Sequence, residues 1–181
     1  MTETPLSIEA LPQGFRRLEA NRYREVVGLG FDDLQEGMVI EHRPGRTVTE
    51  YDNVLFCAVT GNVAPIHTDA EFARQTPWQR PLVCGTITLG IAVGMTTRTF
   101  SGMTVANLSL DNAKFTSPVF AGDTLYTVST VTGLRRSRSK PDMGIVSLST
   151  KGFVADREVL GFDRSFVLPV NITSQRDLFS Y

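Results

Sequence analysis

Two short stretches hold the residue types that could do chemistry. The first is Asn62-Val63-Ala64-Pro65-Ile66-His67. An imidazole can take up and return a proton near neutral pH. A side-chain amide nearby can orient a water but cannot take its proton. Pro65 stiffens the loop between the two. The second stretch is Cys84-Gly85-Thr86, just ahead of a long apolar run. If a helix starts there, its first amides lack intrahelical acceptors and can bind an anion or a developing oxyanion. Each residue also has a plainer reading. His67 can be a packed or capping histidine, Gly85 a turn glycine, and Cys84 a small buried residue rather than an activated thiol. The other histidine, His42, falls in a predicted edge strand with no chemical neighbour in sequence, and reads as a surface residue.

The surrounding elements must position these groups. Thr49 is a good helix N-cap, with Asp52 placed for an acidic capping box. Val54, Leu55, Ala58 and Val59 then recur at helical spacing as an apolar face, and Gly61 follows as a C-cap. Thr68 and Glu71 form a T-x-x-E box that predicts a second short helix ending by Pro77. His67 would then precede a helix start, whose positive end favours the neutral imidazole that a general base requires. Upstream, Met38–Val48 reads as an edge strand with a turn at Pro44-Gly45.

The run Gly85–Phe100 is ambiguous. Ile87, Leu89, Ile91, Val93 and Met95 alternate as in a strand. Its length, and Gly90 and Gly94 one helical turn apart, suit a closely packed helix equally well. Beyond Gly102, Thr104–Asp111, Thr124–Leu134, Gly144–Ala155 and Glu158–Leu168 are rich in Val, Leu, Thr and Phe and separated by turn residues, which predicts an antiparallel meander. Helices followed by strands make the class α+β. Residues 1–30 read as an N-terminal extension with a short helix over Phe15–Val26. Residues 31–170 read as the globular domain, and 171–181 as a tail.

Composition narrows the function. A chain of 181 residues with 41% hydrophobic and 20% charged side chains suits one folded domain. Its net charge of −1 argues against a nucleic-acid partner. The two cysteines have no CxxC spacing and the histidines are too few for a zinc set, so neither a metal nor a bound cofactor is expected. No apolar stretch is long enough to cross a membrane, and none resembles a signal peptide, so a cytoplasmic location is expected. The basic stretch Arg135-Arg136-Ser137-Arg138-Ser139-Lys140 reads as a solvated loop or as a phosphate contact for a cofactor handle.

The segment Phe56–His67 resembles the hydratase signature of the MaoC-like family, Gly-Asp-x-Asn-Pro-[aliphatic]-His. Arg80-Pro81-Leu82-Val83-Cys84-Gly85 is similar to that family's lead into its central helix. Phe115-Thr116-Ser117-Pro118-Val119-Phe120-Ala121-Gly122-Asp123-Thr124-Leu125 matches its F-x-x-P-V-x-x-G-D-T-L run. The resemblance covers roughly Phe31 to Val170. It implies a hot-dog fold, with Gly85–Phe100 as a central helix wrapped by an antiparallel sheet. It implies (R)-specific enoyl-CoA hydratase chemistry on an acyl-CoA, in a homodimer with the site at the subunit interface. His67, Asn62 and Gly85 would be the catalytic set, with the Gly85 amide facing the thioester oxygen. Pro65, Ile66, Cys84 and Thr86 would contact the substrate.

Two positions depart from the pattern. Asn62 stands where the family's catalytic Asp stands, and Ala64 replaces its Asn. Three outcomes stay open: His67 acts alone with Asn62 positioning the water, another carboxylate such as Asp69 substitutes, or the domain binds acyl-CoA without turning it over. Mesaconyl-CoA and itaconyl-CoA hydratase-like members often carry an asparagine in this slot. They also resemble this chain in Arg136–Gly144 and Glu41–Glu50. That implies a short substrate, branched or dicarboxylic, with a cation from Arg98 or Arg46 and a further contact from Arg138. The expected activity is that of an enoyl-CoA hydratase, working in reverse as a 3-hydroxyacyl-CoA dehydratase. The competing readings are a hot-dog thioesterase, which needs a carboxylate near the helix end, and a non-catalytic acyl-CoA-binding subunit.

Overall fold

The computed structural model describes residues 14–179. The segment expected to hold a short helix is instead an antiparallel hairpin of β1 (Phe15–Glu19) and β2 (Arg22–Glu25), turning at Ala20-Asn21. Charged residues would fall on every side of a helix there, so no apolar stripe would have held it to the core. As a hairpin, Arg16 pairs with Asp177 and the Arg17 guanidinium lies 5.7 Å over the Tyr23 ring.

The main sheet joins β3 (Val39–Thr47), β4 (Ala106–Phe115), β5 (Thr124–Arg136), β6 (Met143–Val154) and β7 (Arg157–Pro169) in the order β3-β5-β6-β7-β4. All its pairings are antiparallel. Alternation along the long strands puts Leu125 and Val131, Val146 and Leu148, and Leu160, Phe162, Phe166 and Leu168 on one buried face. Arg164 lies among them, also buried. Its Nη1 donates to Thr96 Oγ1 at 3.4 Å, and its guanidinium stacks 4.5 Å over the Phe166 ring.

Among the described residues there are five α-helices: α1 (Glu50–Thr60), α2 (Pro65–Thr68), α3 (Ala70–Arg74), α4 (Gly85–Thr96) and α5 (Ile172–Phe179). The ambiguous run is α4, extended by a π-helical turn, Thr97–Ser101. Thr88, Ala92 and Thr96, four apart, are its most buried residues, and Ile87, Leu89 and Ile91 pack against the core cluster that includes Leu125, Leu160 and Phe162. Small side chains at helical spacing let α4 lie close on the sheet. Gly90 and Gly94 do not provide that contact, since a Cβ built on either meets nothing within 4 Å. The result is the α+β architecture expected, a central helix against an antiparallel sheet. Among the described residues no helix is long and apolar enough to cross a membrane.

Two local expectations need correction. Pro44-Gly45 is not a turn but an irregularity within β3, where the register shifts between His42 and Arg46. A Cβ on Gly45 would lie 2.5 Å from the Tyr126 ring, so only glycine fits that approach. His42 is not a surface residue. It is 3% exposed, its Nε2 lies 3.0 Å from Ser129 Oγ, and its ring meets Phe100 edge-on at 5.6 Å. An edge strand exposes its rim, not its inner face, and His42 points inward.

Burial, reinforced by Arg43, holds the His42 imidazole down to about 4. The unfolded chain therefore takes up this proton first, near the ordinary value of about 6.5. Stability from this site is complete above that value and is lost as pH falls towards 4, by about 3 kcal/mol in all. Urea unfolding at pH 7 and pH 4.5 should show the loss, and His42→Gln should reduce the difference between them.

Candidate active site

α1 starts and stops where the sequence places its caps. Thr49 Oγ1 accepts from Asp52 N, Asp52 Oδ2 accepts from Thr49 N, and Gly61 adopts a left-handed φ of 68°. Its expected apolar face does not turn inward, however: Val54 is 56% and Val59 79% exposed. The buried residues of α1 are Asn53 and Cys57, and Asn53 proves central to the site.

After Gly61 the chain makes a tight turn. Asn62 Oδ1 accepts from Ala64 N at 3.1 Å, and Asn62 Nδ2 approaches Cys84 Sγ at 3.4 Å. Pro65 then opens α2, a single turn whose third residue is His67. The expected T-x-x-E cap does not form. Asp69 caps α3 instead, accepting from Glu71 N at 2.9 Å and Phe72 N at 3.0 Å, while Thr68 Oγ1 donates to Ala64 O. His67 thus lies inside a short helical turn, not ahead of one. Asp69, the candidate substitute carboxylate, is engaged as a cap and lines neither cavity described below.

Three contacts fix the imidazole. His67 Nδ1 lies 2.9 Å from Leu82 O; a carbonyl only accepts, so Nδ1 carries the proton and the neutral ring keeps its lone pair on Nε2. Leu82 N donates back to Ile66 O at 3.1 Å. Asn53 Nδ2 donates to His67 O at 3.0 Å, while Asn53 Oδ1 accepts from Cys84 N at 2.9 Å. One buried amide therefore joins the histidine turn to the start of α4.

His67 and Gly85 line one cavity of about 420 Å³, together with Trp78, Thr88, Phe115 and Pro118. His67 is the only titratable side chain among the residues lining it. A second cavity of about 440 Å³ holds Asn62, Asn53 and Cys57, and His67 is the residue the two share. Gly85 is the first residue of α4, so its amide has no intrahelical acceptor. A Cβ at Gly85 would come within 3.1–3.2 Å of the Phe115 ring. Gly85→Ala should therefore displace Phe115 and raise KM several-fold, and KM with an acyl thioester substrate is the check.

The other expected contacts separate into groups. Cys84 is buried, with Sγ 3.1 Å from Thr86 Oγ1. Cys84, Thr86, Pro65 and Ile66 shape the backbone around the site but do not line either cavity. Arg98 pairs with Glu25 beyond the C-terminal end of α4, about 18 Å of helix from Gly85. Arg46 pairs with Asp52 at 2.6 Å. Arg138 lies in the β5–β6 loop, roughly 40 Å along the strand from the cavity end of β5. Within one chain, none of these three arginines reaches the His67 cavity.

Residues 33–152 match the family model described as MaoC like domain. The chain belongs to the MaoC-like domain family. It is 32% identical over 108 residues to the beta-methylmalyl-CoA dehydratase of Chloroflexus aurantiacus, covering 60% of this chain and 31% of that protein. It is 32% identical to the mesaconyl-CoA hydratase of Cereibacter sphaeroides over 69% of this chain and 36% of that one. With the (R)-specific enoyl-CoA hydratase of Rhodospirillum rubrum the identity is 29%, over 77% and 91%. The chain thus spans about a third of the length of the first two relatives. A solved Mycobacterium tuberculosis protein described as a double hot-dog fold aligns with a TM-score of 0.72 and 30% identity, over 80% of this chain and 45% of that one. This MaoC-like chain has the hot-dog fold.

Proposed function

We propose that this MaoC-like protein is an enoyl-CoA hydratase that also runs in reverse as a 3-hydroxyacyl-CoA dehydratase. The observation that carries this reading is the pairing of a free His67 Nε2 with the unsatisfied Gly85 amide in one largely apolar cavity. In hydration, Nε2 takes a proton from water as the oxygen bonds to C3 of the enoyl thioester. The electron pair of the double bond moves towards the thioester oxygen, where the Gly85 amide and the start of α4 stabilise the enolate. The Leu82 carbonyl holds Nδ1–H throughout and so supports the imidazolium. Nε2 then returns the proton to C2, and the net change is one water added across the bond. Asn62, which lines the second cavity that meets the first at His67, orients that water through the Nδ2 hydrogen not directed at Cys84 Sγ, since its Oδ1 is occupied by Ala64 N.

The substrate is a short acyl-CoA, branched or dicarboxylic, of the mesaconyl-, itaconyl- or methylmalyl-CoA kind. Support comes from the names of the relatives and from Asn62 in the catalytic slot. No bound cofactor or metal enters this scheme. The absence of a carboxylate from the residues lining the cavity counts against the thioesterase reading. The working unit is a homodimer formed through β4. This ten-residue edge strand exposes Leu108 and Leu110 beside unpaired backbone, and a double hot-dog relative supplies a second such unit within its own chain. Incubation with crotonyl-, mesaconyl- and itaconyl-CoA, followed by mass analysis, tests the reaction. Products heavier by one water with CoA still attached are expected. Release of free CoA, or binding without turnover, would overturn it.

A further inference from the structure

We infer that Arg80 and Arg157 form the binding site for the phosphates of the CoA handle, at the rim of the His67 cavity. The inference rests on the reading of the chain as acting on CoA thioesters. The cavity wall Phe115–Val119 continues into Phe120, and two cations are fastened to this segment. The Arg157 guanidinium, at the start of β7, donates through Nη1 to Pro118 O at 2.8 Å. The Arg80 guanidinium, from the stretch between α3 and α4, stacks 3.7 Å over the Phe120 ring. Phe120 in turn packs against Trp78, with ring centroids 6.4 Å apart. Pro118 and Trp78 both line the His67 cavity, so Arg157 is fastened directly to a lining residue and Arg80 to one through Phe120.

Neither guanidinium meets a carboxylate among the described residues, unlike Arg46, Arg74, Arg98 and Arg136, which are all ion-paired. Both are exposed and held in place with most of their donors left over. A guanidinium has five N–H groups; Arg157 uses one, and a stacked Arg80 keeps its in-plane donors free. Such a fixed fork suits phosphate oxygens. The backbone also contributes. Gln79, just before Arg80, adopts φ 57°, a conformation uncommon for a non-glycine residue, in a turn closed by Gln79 N donating to Thr76 O. That turn brings Arg80 back over Phe120.

The distances suit a thioester held at Gly85. Arg80 is five residues upstream of Gly85, a reach of at most about 17 Å. A pantetheine arm, two amide units with short spacers, is of comparable length. Its path along Trp78, which is 44% exposed, would bring the phosphates out at the rim.

The test compares CoA with pantetheine, which lacks the phosphates, by calorimetry on the full chain. The same comparison is then made by kinetics with crotonyl-CoA and crotonyl-pantetheine. In Arg80→Gln/Arg157→Gln the Kd for CoA and the KM for crotonyl-CoA should rise roughly tenfold, while pantetheine binding stays as in wild type and the salt dependence of CoA binding weakens. Unchanged CoA affinity in the double variant would overturn the inference. So would an equal loss for both ligands, which marks a structural effect, or a loss found only in Arg138→Gln/Lys140→Gln, which would move the phosphates to the β5–β6 loop. Phosphate-dependent CoA binding without hydration of any enoyl thioester would sink the hydratase reading and leave the rim site standing.

Discussion

His67→Ala is expected to lower kcat/KM for hydration by about three orders of magnitude, within the range that a positioned general acid–base contributes. The expectation is this large because nothing else in the cavity can take over. His67 is the one titratable group lining the cavity that holds Gly85; Glu50 lines only the second cavity, and Asp69, the substitute carboxylate the sequence offers, is bound to two backbone amides as a helix cap. The loss should fall on kcat more than on KM, since the imidazole acts in the transition state. Circular dichroism and thermal melting of the variant establish that it is folded. Full activity in a folded His67→Ala protein would remove His67 from the mechanism. Asn62→Ala provides the companion measurement. An amide that orients water, but moves no proton, should cost far less, on the order of tenfold. Equal losses at the two positions would mean that Asn62 does more than orient.

The fold was legible because its signals are local. The four strand segments are rich in Val, Leu, Thr and Phe and bounded by turn residues, and each forms within a few residues of its predicted limits, although β4 pairs with β7 at the sheet edge rather than with β5. The Thr49–Asp52 box and Gly61 define α1 for the same reason. α4 was ambiguous from periodicity, because a helix buried on most sides has no polar face to reveal a period; only its resemblance to a central hot-dog helix decided it. Residues whose roles depend on distant partners were not legible. Val54 and Val59 have the spacing of a core stripe but lie outward on α1, and Asn53 on the opposite side is buried. His42 looked like a surface residue because its contacts, Ser129 and Phe100, lie far away in sequence. Arg164 alternates in step with Phe162 and Phe166, yet no pattern announces a buried guanidinium. In the candidate site, loop and helix-start chemistry points to His67 and Gly85, and the two line one cavity, although His67 lies within a helical turn rather than ahead of one. Arg98 and Arg46 carry the charge a dicarboxylate needs, but their partners are distant in sequence or on another element: Arg98, past the C-terminal end of α4, pairs with Glu25, and Arg46 on β3 pairs with Asp52 on α1.

Asn53 is the site residue with the largest effect that local pattern could not reveal. Asn53→Ala is expected to destabilise the fold by about 2 kcal/mol and to reduce kcat at least tenfold even at temperatures where the variant is folded. Its amide supplies a donor to His67 O and an acceptor to Cys84 N, both within a buried region. Removing the side chain leaves both backbone groups unsatisfied and frees the histidine turn from the start of α4. The base on one side and the oxyanion amide on the other would then lose their common reference. A positioning role differs from a merely structural one in its partition. KM for a thioester should change little, because Asn53 lies outside the His67–Gly85 cavity lining, while kcat falls with the mutual geometry. Asn53→Asp sharpens the point. A carboxylate can still accept from Cys84 N but has no proton for His67 O, so it should keep the α4 start in place and lose the histidine restraint. If Asn53→Ala melts at a lower temperature yet retains wild-type kcat when folded, Asn53 only stabilises the fold, and the coupling between His67 and Gly85 resides elsewhere, in the paired contacts of Ile66 and His67 with Leu82.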